Sequence, residues 1–115
     1  METKTQRDYQ HVCVAICTRQ RPKMLARCLE GVLRQTLPAG WRMSVLVVEN
    51  NEEPSEQLSV SSRQTQPGTE LYYFHETTLG ISSARNRAVE EALNLNADWI
   101  AFIDDDEVPD ESWLK

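Results

Sequence analysis

The sequence lacks the marks of a membrane-spanning, secreted or zinc-stabilised protein. No apolar run reaches the roughly 18–20 residues that a transmembrane helix needs, and residues 1–11 are polar, so we expect no signal peptide. Three cysteines, Cys13, Cys17 and Cys28, are an odd number at no zinc-binding spacing. We interpret them as small buried side chains in a reducing compartment, which predicts a cytoplasmic protein, either free or peripheral to the inner face of a membrane.

Positive charge is also scarce. Twelve lysines and arginines stand against eighteen aspartates and glutamates, which gives a net charge of −6. Because nucleic acids and anionic membranes attract basic surfaces, we expect no nucleic acid partner. An anionic ligand would need a metal ion or a few arginines to neutralise it. With 115 residues, 40% hydrophobic and 26% charged, the chain is typical of one globular domain or a part of one.

Two glycine-rich phosphate motifs are missing as well. The first apolar run is followed by residues 18–22, which contain no glycine. The Gly-x-Gly-x-x-Gly turn of dinucleotide-binding folds is therefore absent, which excludes hydride transfer with such a cofactor. The chain has no Gly-Lys-Ser/Thr phosphate loop either, and a nucleotidyltransferase would usually carry a basic, glycine-rich loop at the same place.

What the sequence does contain is a regular alternation of strands and helices. Apolar runs without polar alternation cover residues 12–17, 45–48, 71–74 and 99–103, as in strands buried on both faces of a parallel sheet. Helical spacing follows Pro22, is weak over residues 55–63, and returns after Gly80 with Ala84, Ala88 and Ala92 on one face; Pro109 and Asp110 resemble a further helix start. The first helix carries a stripe of Met24, Leu25, Cys28, Leu29, Val32 and Leu33. We predict an α/β fold with a mostly parallel sheet and flanking helices, residues 1–10 being a polar lead-in to one partial domain over residues 11–115.

The candidate chemistry lies where the strands end, because ligands of open α/β sheets bind at the carboxyl edge. Asp104, Asp105 and Asp106 follow the fourth strand, with no lysine or arginine between Arg87 and Lys115 to neutralise them. Three consecutive carboxylates repel one another unless a divalent cation lies among them, and oxygen ligands suit Mg²⁺ or Mn²⁺. Since alternate residues of an extended segment face one way, Asp104 and Asp106 are expected to face one ligand while Asp105 turns aside. The alternative is a solvated acidic turn.

Four arginines and one glutamate are further candidates. Arg85 lies in the first turns of the second clear helix, where it would help to hold a diphosphate or would form an ion pair with an acid of the site. Arg87 is expected to point elsewhere, into solvent. Glu49 ends the second strand, where an acid contacts ribose in dinucleotide-binding folds, or is a turn residue. Arg19 and Arg21 follow the first strand as phosphate contacts or as exposed loop residues.

The ordered set of motifs resembles a known family. Its parts are residues 12–18, Arg19-Gln20-Arg21-Pro22, Leu29-Glu30-Gly31-Val32-Leu33-Arg34-Gln35-Thr36, Val47-Val48-Glu49-Asn50-Asn51, Gly80-Ile81-Ser82-Ser83-Ala84-Arg85-Asn86, and Phe102-Ile103-Asp104-Asp105-Asp106-Glu107 with Pro109 and Trp113-Leu114. In this order and spacing, over about residues 11–115, the chain resembles the N-terminal nucleotide-sugar-binding part of family 2 glycosyltransferases. The resemblance implies the Rossmann-like N-terminal half of a GT-A fold, ending soon after the Asp-x-Asp motif.

The resemblance also implies roles for single residues. Thr18, with Arg19 beside it, stands where the family contacts the nucleotide base and ribose. Glu49 stands where the family usually has Asp, which keeps the carboxylate but changes its reach. Arg85 matches the arginine near the donor. Asp104 and Asp106 match the Asp-x-Asp motif, Asp106 as ligand of Mn²⁺ or Mg²⁺ and Asp104 on the ribose or a metal-bound water, with Asp105 at the same donor site.

The resemblance further implies partners and a missing half. The donor would be a nucleotide-diphospho-sugar, with a UDP-sugar expected, and the acceptor an unknown saccharide or lipid-linked molecule. The family's carboxylate general base, which takes the acceptor proton in an inverting attack, is expected beyond Lys115. We therefore expect a fragment whose exposed sheet edge promotes self-association. The alternative is a non-catalytic α/β module that binds a nucleotide or a partner.

Overall fold

The fold is an α/β arrangement in which two helices flank one parallel sheet. A computed structural model describes residues 9–53, 65–110 and 113–114. The strands are β1 (Gln10–Thr18), β2 (Trp41–Glu49), β3 (Thr69–His75) and β4 (Trp99–Asp104), and the helices are α1 (Pro22–Leu33) and α2 (Ile81–Asn94). The sheet order is β3-β2-β1-β4, with every pair parallel. The predicted fold class is confirmed; the weak helical pattern over residues 55–63 lies outside the described residues.

The central strands are buried on both faces, which explains why their sequences show no polar alternation. Val12, Val14 and Ile16 of β1 pack with α1, whereas Cys13 and Ala15 pack on the side of α2. Successive side chains of a strand point to opposite faces, and both faces here are covered by a helix. Within the described residues, no helix is both long and apolar enough to cross a membrane.

The apolar stripe of α1 lies against the sheet, with one exception. The helix buries Leu25, Cys28, Leu29, Gly31, Val32 and Leu33. Met24 was predicted to belong to this stripe, but it is 45% exposed. It lies in the first turn of α1, at the rim of the sheet, where less of the core is available to cover it. The buried position that the stripe did not predict is Gly31.

The alanine face of α2 lies on β1 and β2, as predicted. Ala84 and Ala88 pack with Ala15 and Val48, and Ala92 lies one turn further along the same face. Because alanine side chains are short, the helix lies close to β1 and β2 and covers little of the adjacent strand β4. The α2 side of β4 is consequently left partly open.

The chain after β4 is irregular over the residues that the structure describes there. Residues 105–106 form a turn, and residues 107–110 continue without regular structure. Pro109 and Asp110, predicted as a helix start, lie in a segment that returns along α1, and the Trp113 amide donates to the Asp110 carbonyl over 3.1 Å. The helix itself would run through residues 111–112 and stays a prediction. Residues 111, 112 and 115 lie outside the described part of the chain.

Candidate functional site

A cleft of about 410 Å³ opens at the carboxyl ends of β1 and β4. The side of β1 and the start of α2 form one wall, and the acidic run forms the other. The lining residues are Cys17, Thr18, Arg19, Arg21, Asn50, Gly80, Ile81, Ala84, Asp104, Asp105 and Asp106. The fold brings them together because β1 and β4 are adjacent and parallel, so both strands end at the same edge.

The three aspartates do not share one environment. Asp104 and Asp106 are exposed at the cleft, whereas Asp105 is buried. The Thr18 hydroxyl donates to Oδ2 of Asp105 over 2.8 Å, and Arg21 pairs with Oδ1 over 3.2 Å. The expectation that Asp105 turns aside agrees with this geometry. Its contact with a nucleotide sugar stays a prediction, and both of its carboxylate oxygens are bonded, one to Thr18 at the end of β1 and one to Arg21 in the loop that follows.

The acidic run also has a positively charged partner that the residues near it in the chain did not indicate. No basic residue follows it closely in the chain, but Arg21, more than eighty residues earlier, neutralises its middle carboxylate. Arg21 remains 54% exposed at the cleft, so its pairing with Asp105 leaves part of the guanidinium facing solvent. Arg19, which is exposed, lines the same cleft. Two arginines thus face two exposed carboxylates across a small space.

The carboxylates of the cleft fit a divalent cation only if water and a phosphate supply its other ligands. Within residues 9–53, 65–110 and 113–114, no group of three or more His, Cys, Asp or Glu side chains is placed to hold a metal. Asp104 and Asp106 offer at most two carboxylates from the protein. Mg²⁺ is commonly bound by one or two carboxylates and completed by water and substrate phosphates. The residues therefore fit a cation that arrives with a phosphate ligand, not a site made of protein ligands alone.

Glu49 does not line the cleft. It is fully buried at the end of β2, where it accepts hydrogen bonds from the Tyr73 hydroxyl and from the Asn51 amide, the latter over 2.8 Å. The register pairs Glu49 with His75 and Val47 with Tyr73, so Tyr73 is diagonal to Glu49 on the face of the sheet that packs with α1. In this geometry the carboxylate joins β2 to β3 and is not open to a ribose or a base.

Arg85 lies beside the cleft, and its predicted ion pair is not formed. Among the described residues, no acidic side chain pairs with it. Its guanidinium lies 5.4 Å from the centre of the Phe102 ring on β4, which is a cation–π distance. Its charge lowers the pKa of Cys17, although burial has the larger effect and raises that pKa to about 11. Arg85 is therefore exposed at the rim, within electrostatic range of the cleft.

The structure contradicts the prediction that Arg87 points into solvent. It is not a solvated side chain: its guanidinium contacts Glu91 over 2.8 Å and Glu76 over 3.4 Å, and it donates to the backbone carbonyl of His75. Its positive charge lies 5.5 Å from the centre of the Phe74 ring. These contacts fasten α2 to the end of β3. The pair with Glu91 is an i,i+4 pair that helical spacing already offered, whereas the contacts with His75 and Glu76 form only once α2 packs beside the end of β3.

Asn50 is a residue to which the sequence analysis assigned no role, although it named Asn50 within the motif of residues 47–51. Its amide donates to the carbonyl oxygens of Glu76 (3.1 Å) and Thr78 (2.8 Å), and its Oδ1 accepts from the Gly80 amide over 2.9 Å. Gly80 precedes α2 with a φ of 126°, a conformation that favours glycine. Asn50 thus holds the loop that brings the start of α2 to the cleft. Its sequence signals were its position directly after a buried strand and its place in that motif.

The cysteines are free thiols and not candidates for nucleophiles. Burial raises the pKa of Cys13 to about 11 and that of Cys28 to about 12, and Cys17 at the cleft is similar. The negative charges of the acidic run add to the effect at Cys28. Because the thiolate is the reactive form, these side chains stay protonated at neutral pH. Cys13 and Cys28 are buried, as expected, and Cys17 is half-buried.

Two curated proteins are similar to this chain in sequence. The chain is 33% identical over 104 residues to the succinoglycan biosynthesis protein ExoM of Rhizobium meliloti, a match covering 90% of this chain and 32% of that protein. It is 31% identical over 98 residues to the galactofuranosyltransferase GlfT1 of Mycolicibacterium smegmatis, covering 85% of this chain and 30% of that protein. The chain therefore spans about a third of the length of these curated relatives.

The fold is also that of a solved structure. The crystal structure of S. aureus TarS superposes with a TM-score of 0.70 at 19% identity, over 90% of this chain and 18% of TarS. A structure of TarS residues 1–349 gives the same TM-score over 89% of this chain and 29% of that one. At this identity the likeness concerns the fold alone. The sequence model of glycosyl transferase family 2, in contrast, matches residues 13–115, and the chain therefore belongs to that family.

Proposed function

We propose that this chain is the donor-binding part of a metal-dependent glycosyltransferase that takes its sugar from a nucleotide-diphospho-sugar, with a UDP-sugar as the donor. The observation that carries the proposal is the convergence of Asp104, Asp106, Arg19 and the start of α2 on one cleft. Family membership makes glycosyl transfer the reaction to consider. The acceptor, a saccharide or a lipid-linked molecule, and inversion at the anomeric carbon belong to the same proposal.

The charges of the cleft suit a diphosphate that arrives with a cation. Arg19 is exposed on one side, and the free backbone N–H groups at the start of α2 favour an anion on the other. Arg85 adds positive charge at the rim. Asp104 and Asp106 alone would repel a diphosphate, so they need Mn²⁺ or Mg²⁺ between them and it. When bound, such a cation stabilises the negative charge of the leaving nucleoside diphosphate.

The residues of this chain bind and orient the donor, and the proton of the acceptor is handled elsewhere. In the described part of the chain, the acids at the cleft are Asp104, Asp105 and Asp106. Asp105 is bonded to Thr18 and Arg21, and the other two are assigned to the cation and the ribose. A general base is therefore proposed in the longer protein. The curated relatives are about three times longer than the matched segment, which leaves room for it.

Isothermal titration calorimetry with UDP and Mn²⁺ tests this function. We expect Asp106→Ala to weaken UDP binding in Mn²⁺ at least about tenfold, which corresponds to about 1.4 kcal/mol. The reason is that the variant removes one of the two carboxylates available to the cation. Glu90→Ala is the matched control, because it also removes one negative charge, from an exposed position on α2 outside the cleft.

Three outcomes separate the proposals. Mn²⁺-dependent binding that Asp106→Ala weakens and Glu90→Ala does not supports the donor site. Binding that is the same in Mn²⁺ and in a chelator favours the alternative of a non-catalytic nucleotide-binding module. No binding of UDP by the wild-type chain, in a sample shown to be folded by circular dichroism, contradicts the proposal.

Self-association through β4 is a second, separate proposal. Within the described residues, β4 is the last strand on its side of the sheet, and its Ile100 and Phe102 side chains are 36% and 38% exposed. An open, apolar edge strand is a template for pairing with another chain. We expect the wild-type chain to form dimers at micromolar concentration in analytical ultracentrifugation, and Ile100→Lys to shift it towards monomer. Leu93→Lys, a matched change at an exposed position on α2, should leave the distribution unchanged; an equal effect of both would contradict pairing through β4.

The cellular location proposed for the chain is the cytoplasm, either free or at the inner face of a membrane. It is supported by the three free cysteines, of which Cys13 and Cys28 are buried as apolar side chains. Free thiols are typical of reducing compartments.

A further inference from the structure

The segment that follows the acidic run is bound to the end of α1 by one buried side chain. Gln35, two residues past α1, is 2% exposed. Its amide nitrogen donates to the carbonyl oxygens of Gly31 and Asp110, and its Oε1 accepts from the Leu114 amide over 3.1 Å. Two of these three bonds reach residues about eighty positions later in the chain. Gln35 therefore holds the returning segment at two points.

A glycine in α1 makes room for the same segment. A Cβ at Gly31 would lie 2.8 Å from Cδ of Pro109, so that Pro109 would have to shift, and 3.1 Å from its carbonyl oxygen, which is a tight contact. Glycine inside a helix costs about 1 kcal/mol relative to alanine. The close approach of Pro109 gives that cost a structural reason. Gly31 in α1 and Gln35 just past its end thus form one docking surface for Pro109, Asp110 and Leu114.

The acidic run is therefore anchored before and after Asp106, but not at Asp106 itself. Before it, the carbonyl of Asp104 accepts from the Cys28 thiol on α1 and from the Glu107 amide. After it lie Pro109 and Asp110 on the docking surface. The exposed carboxylates of Asp104, Asp106 and Glu107 repel one another, which favours an outward movement of the turn. The anchor at Gln35 opposes that movement.

We propose that Gln35 is a positioning residue for the cation-binding carboxylate: by holding Asp110 and Leu114 at the end of α1, it keeps Asp106 facing the cleft. The proposal rests on the proposed function, because it gives Asp106 the role stated there. Gln35 acts at a distance, on the backbone that carries Asp106. Its loss is expected to weaken the metal-dependent part of nucleotide binding without removing any group that touches the ligand.

The test compares two glutamines that both bond to the C-terminal end of α1. Gln35→Met keeps the size of the side chain and removes all three hydrogen bonds. Gln66→Met is the matched control, because the bond that it removes, from the Gln66 amide to the Leu33 carbonyl, does not involve the residues after the acidic run. Gly31→Ala disturbs the same docking surface by steric contact, and supplies a second variant in case Gln35→Met does not fold. Folding of each variant is checked by circular dichroism and thermal denaturation.

Two measurements are made on the full 115-residue chain. The first is amide hydrogen exchange over residues 104–110 without ligand, where Gln35→Met and Gly31→Ala are expected to exchange at least about tenfold faster than wild type and Gln66→Met at the wild-type rate. The second is UDP affinity with Mn²⁺ and with a chelator. We expect the Mn²⁺-dependent gain in affinity to fall about tenfold in Gln35→Met and Gly31→Ala. Gln66→Met should keep it.

The outcomes distinguish this inference from the proposed function. If the wild-type chain gains no UDP affinity from Mn²⁺, the proposed function fails. If amide exchange over residues 104–110 is also unchanged in Gln35→Met and Gly31→Ala, the anchor is overturned as well. If the wild type gains affinity from Mn²⁺ and Gln35→Met keeps that gain, the positioning role is overturned while the function stands. An equal loss in Gln66→Met shows a general loosening of α1 and also overturns the positioning role.

Discussion

Replacing Asn50 with alanine is expected to lower the free energy of unfolding by about 2–4 kcal/mol and to weaken UDP binding with it. The change removes three hydrogen bonds at once, two to loop carbonyls and one from the Gly80 amide. A typical bond contributes about 1 kcal/mol, and a buried group left without a partner costs about 1–3 kcal/mol. The loop that carries the start of α2 to the cleft would lose its attachment to β2. Chemical denaturation and calorimetry measure the two effects.

Two further variants make the test of Asn50 specific. Asn50→Asp keeps an oxygen for the Gly80 amide but places a negative charge against the carbonyls of Glu76 and Thr78, so we expect a loss of stability similar to that of alanine. Asn94→Ala is the matched control, since Asn94 is exposed at the end of α2. If Asn50→Ala destabilises the chain no more than Asn94→Ala does, the loop is held by other contacts and the assignment is wrong.

Replacing Glu49 with alanine is expected to cost about 3–5 kcal/mol of folding free energy. The variant leaves a cavity at a fully buried position, and it removes the acceptor for the Tyr73 hydroxyl and for the Asn51 amide. Truncation of a buried charged group with its hydrogen bonds is among the most destabilising single changes. Urea denaturation followed by tryptophan fluorescence measures the loss. A milder change is needed to separate this structural role from contact with a nucleotide.

The pair Glu49→Gln and Tyr73→Phe supplies that milder change. Glutamine keeps the size and one acceptor oxygen, so one of the two donors loses its partner; phenylalanine removes only the hydroxyl. If the two side chains stabilise each other, the double variant loses less stability than the sum of the single variants. If Glu49→Gln instead leaves stability unchanged and weakens UDP binding more than Tyr73→Phe does, Glu49 reaches the nucleotide as the sequence predicted, and the buried arrangement does not describe the binding state.

The contrast between Asp106 and Glu49 shows how far residue patterns reach in this protein. Both are acids at the end of a strand, and both were assigned to the ligand. The exposed position of Asp106 follows from local geometry, since it lies past the last strand residue on a turn. The burial of Glu49 depends on Tyr73, a residue of the neighbouring strand that reaches its carboxylate only after β2 and β3 pair in register. No spacing within either segment contains that information.

Arg21 and Arg87 illustrate the same limit for charges. The sequence analysis offered Arg85 as the ion-pair partner for an acid of the site and placed Arg87 in solvent, whereas the structure pairs Arg21 with Asp105, and Arg87 with Glu76 and Glu91. Parallel strands joined by crossovers bring together residues that are far apart in sequence, such as Arg21 and Asp105. Ion pairs between such residues depend on strand order, on side-chain length and on rotamer. A local sequence pattern does not determine whether these bring the two charges together.

The amino-acid pattern alone was enough to determine the α/β class, the parallel strands, the alanine face of α2 and the edge of the sheet where the acidic run lies. These features follow from hydrophobic periodicity and from the rule that parallel strands end together, which are properties of short segments. Only the tertiary structure determines which carboxylates face the cleft and which are buried and hydrogen-bonded. It also determines which residues hold the loops at the cleft in place. The reason is that Asn50, Glu49 and Gln35 act through partners distant in sequence, and their hydrogen bonds form only once the sheet and α1 are assembled.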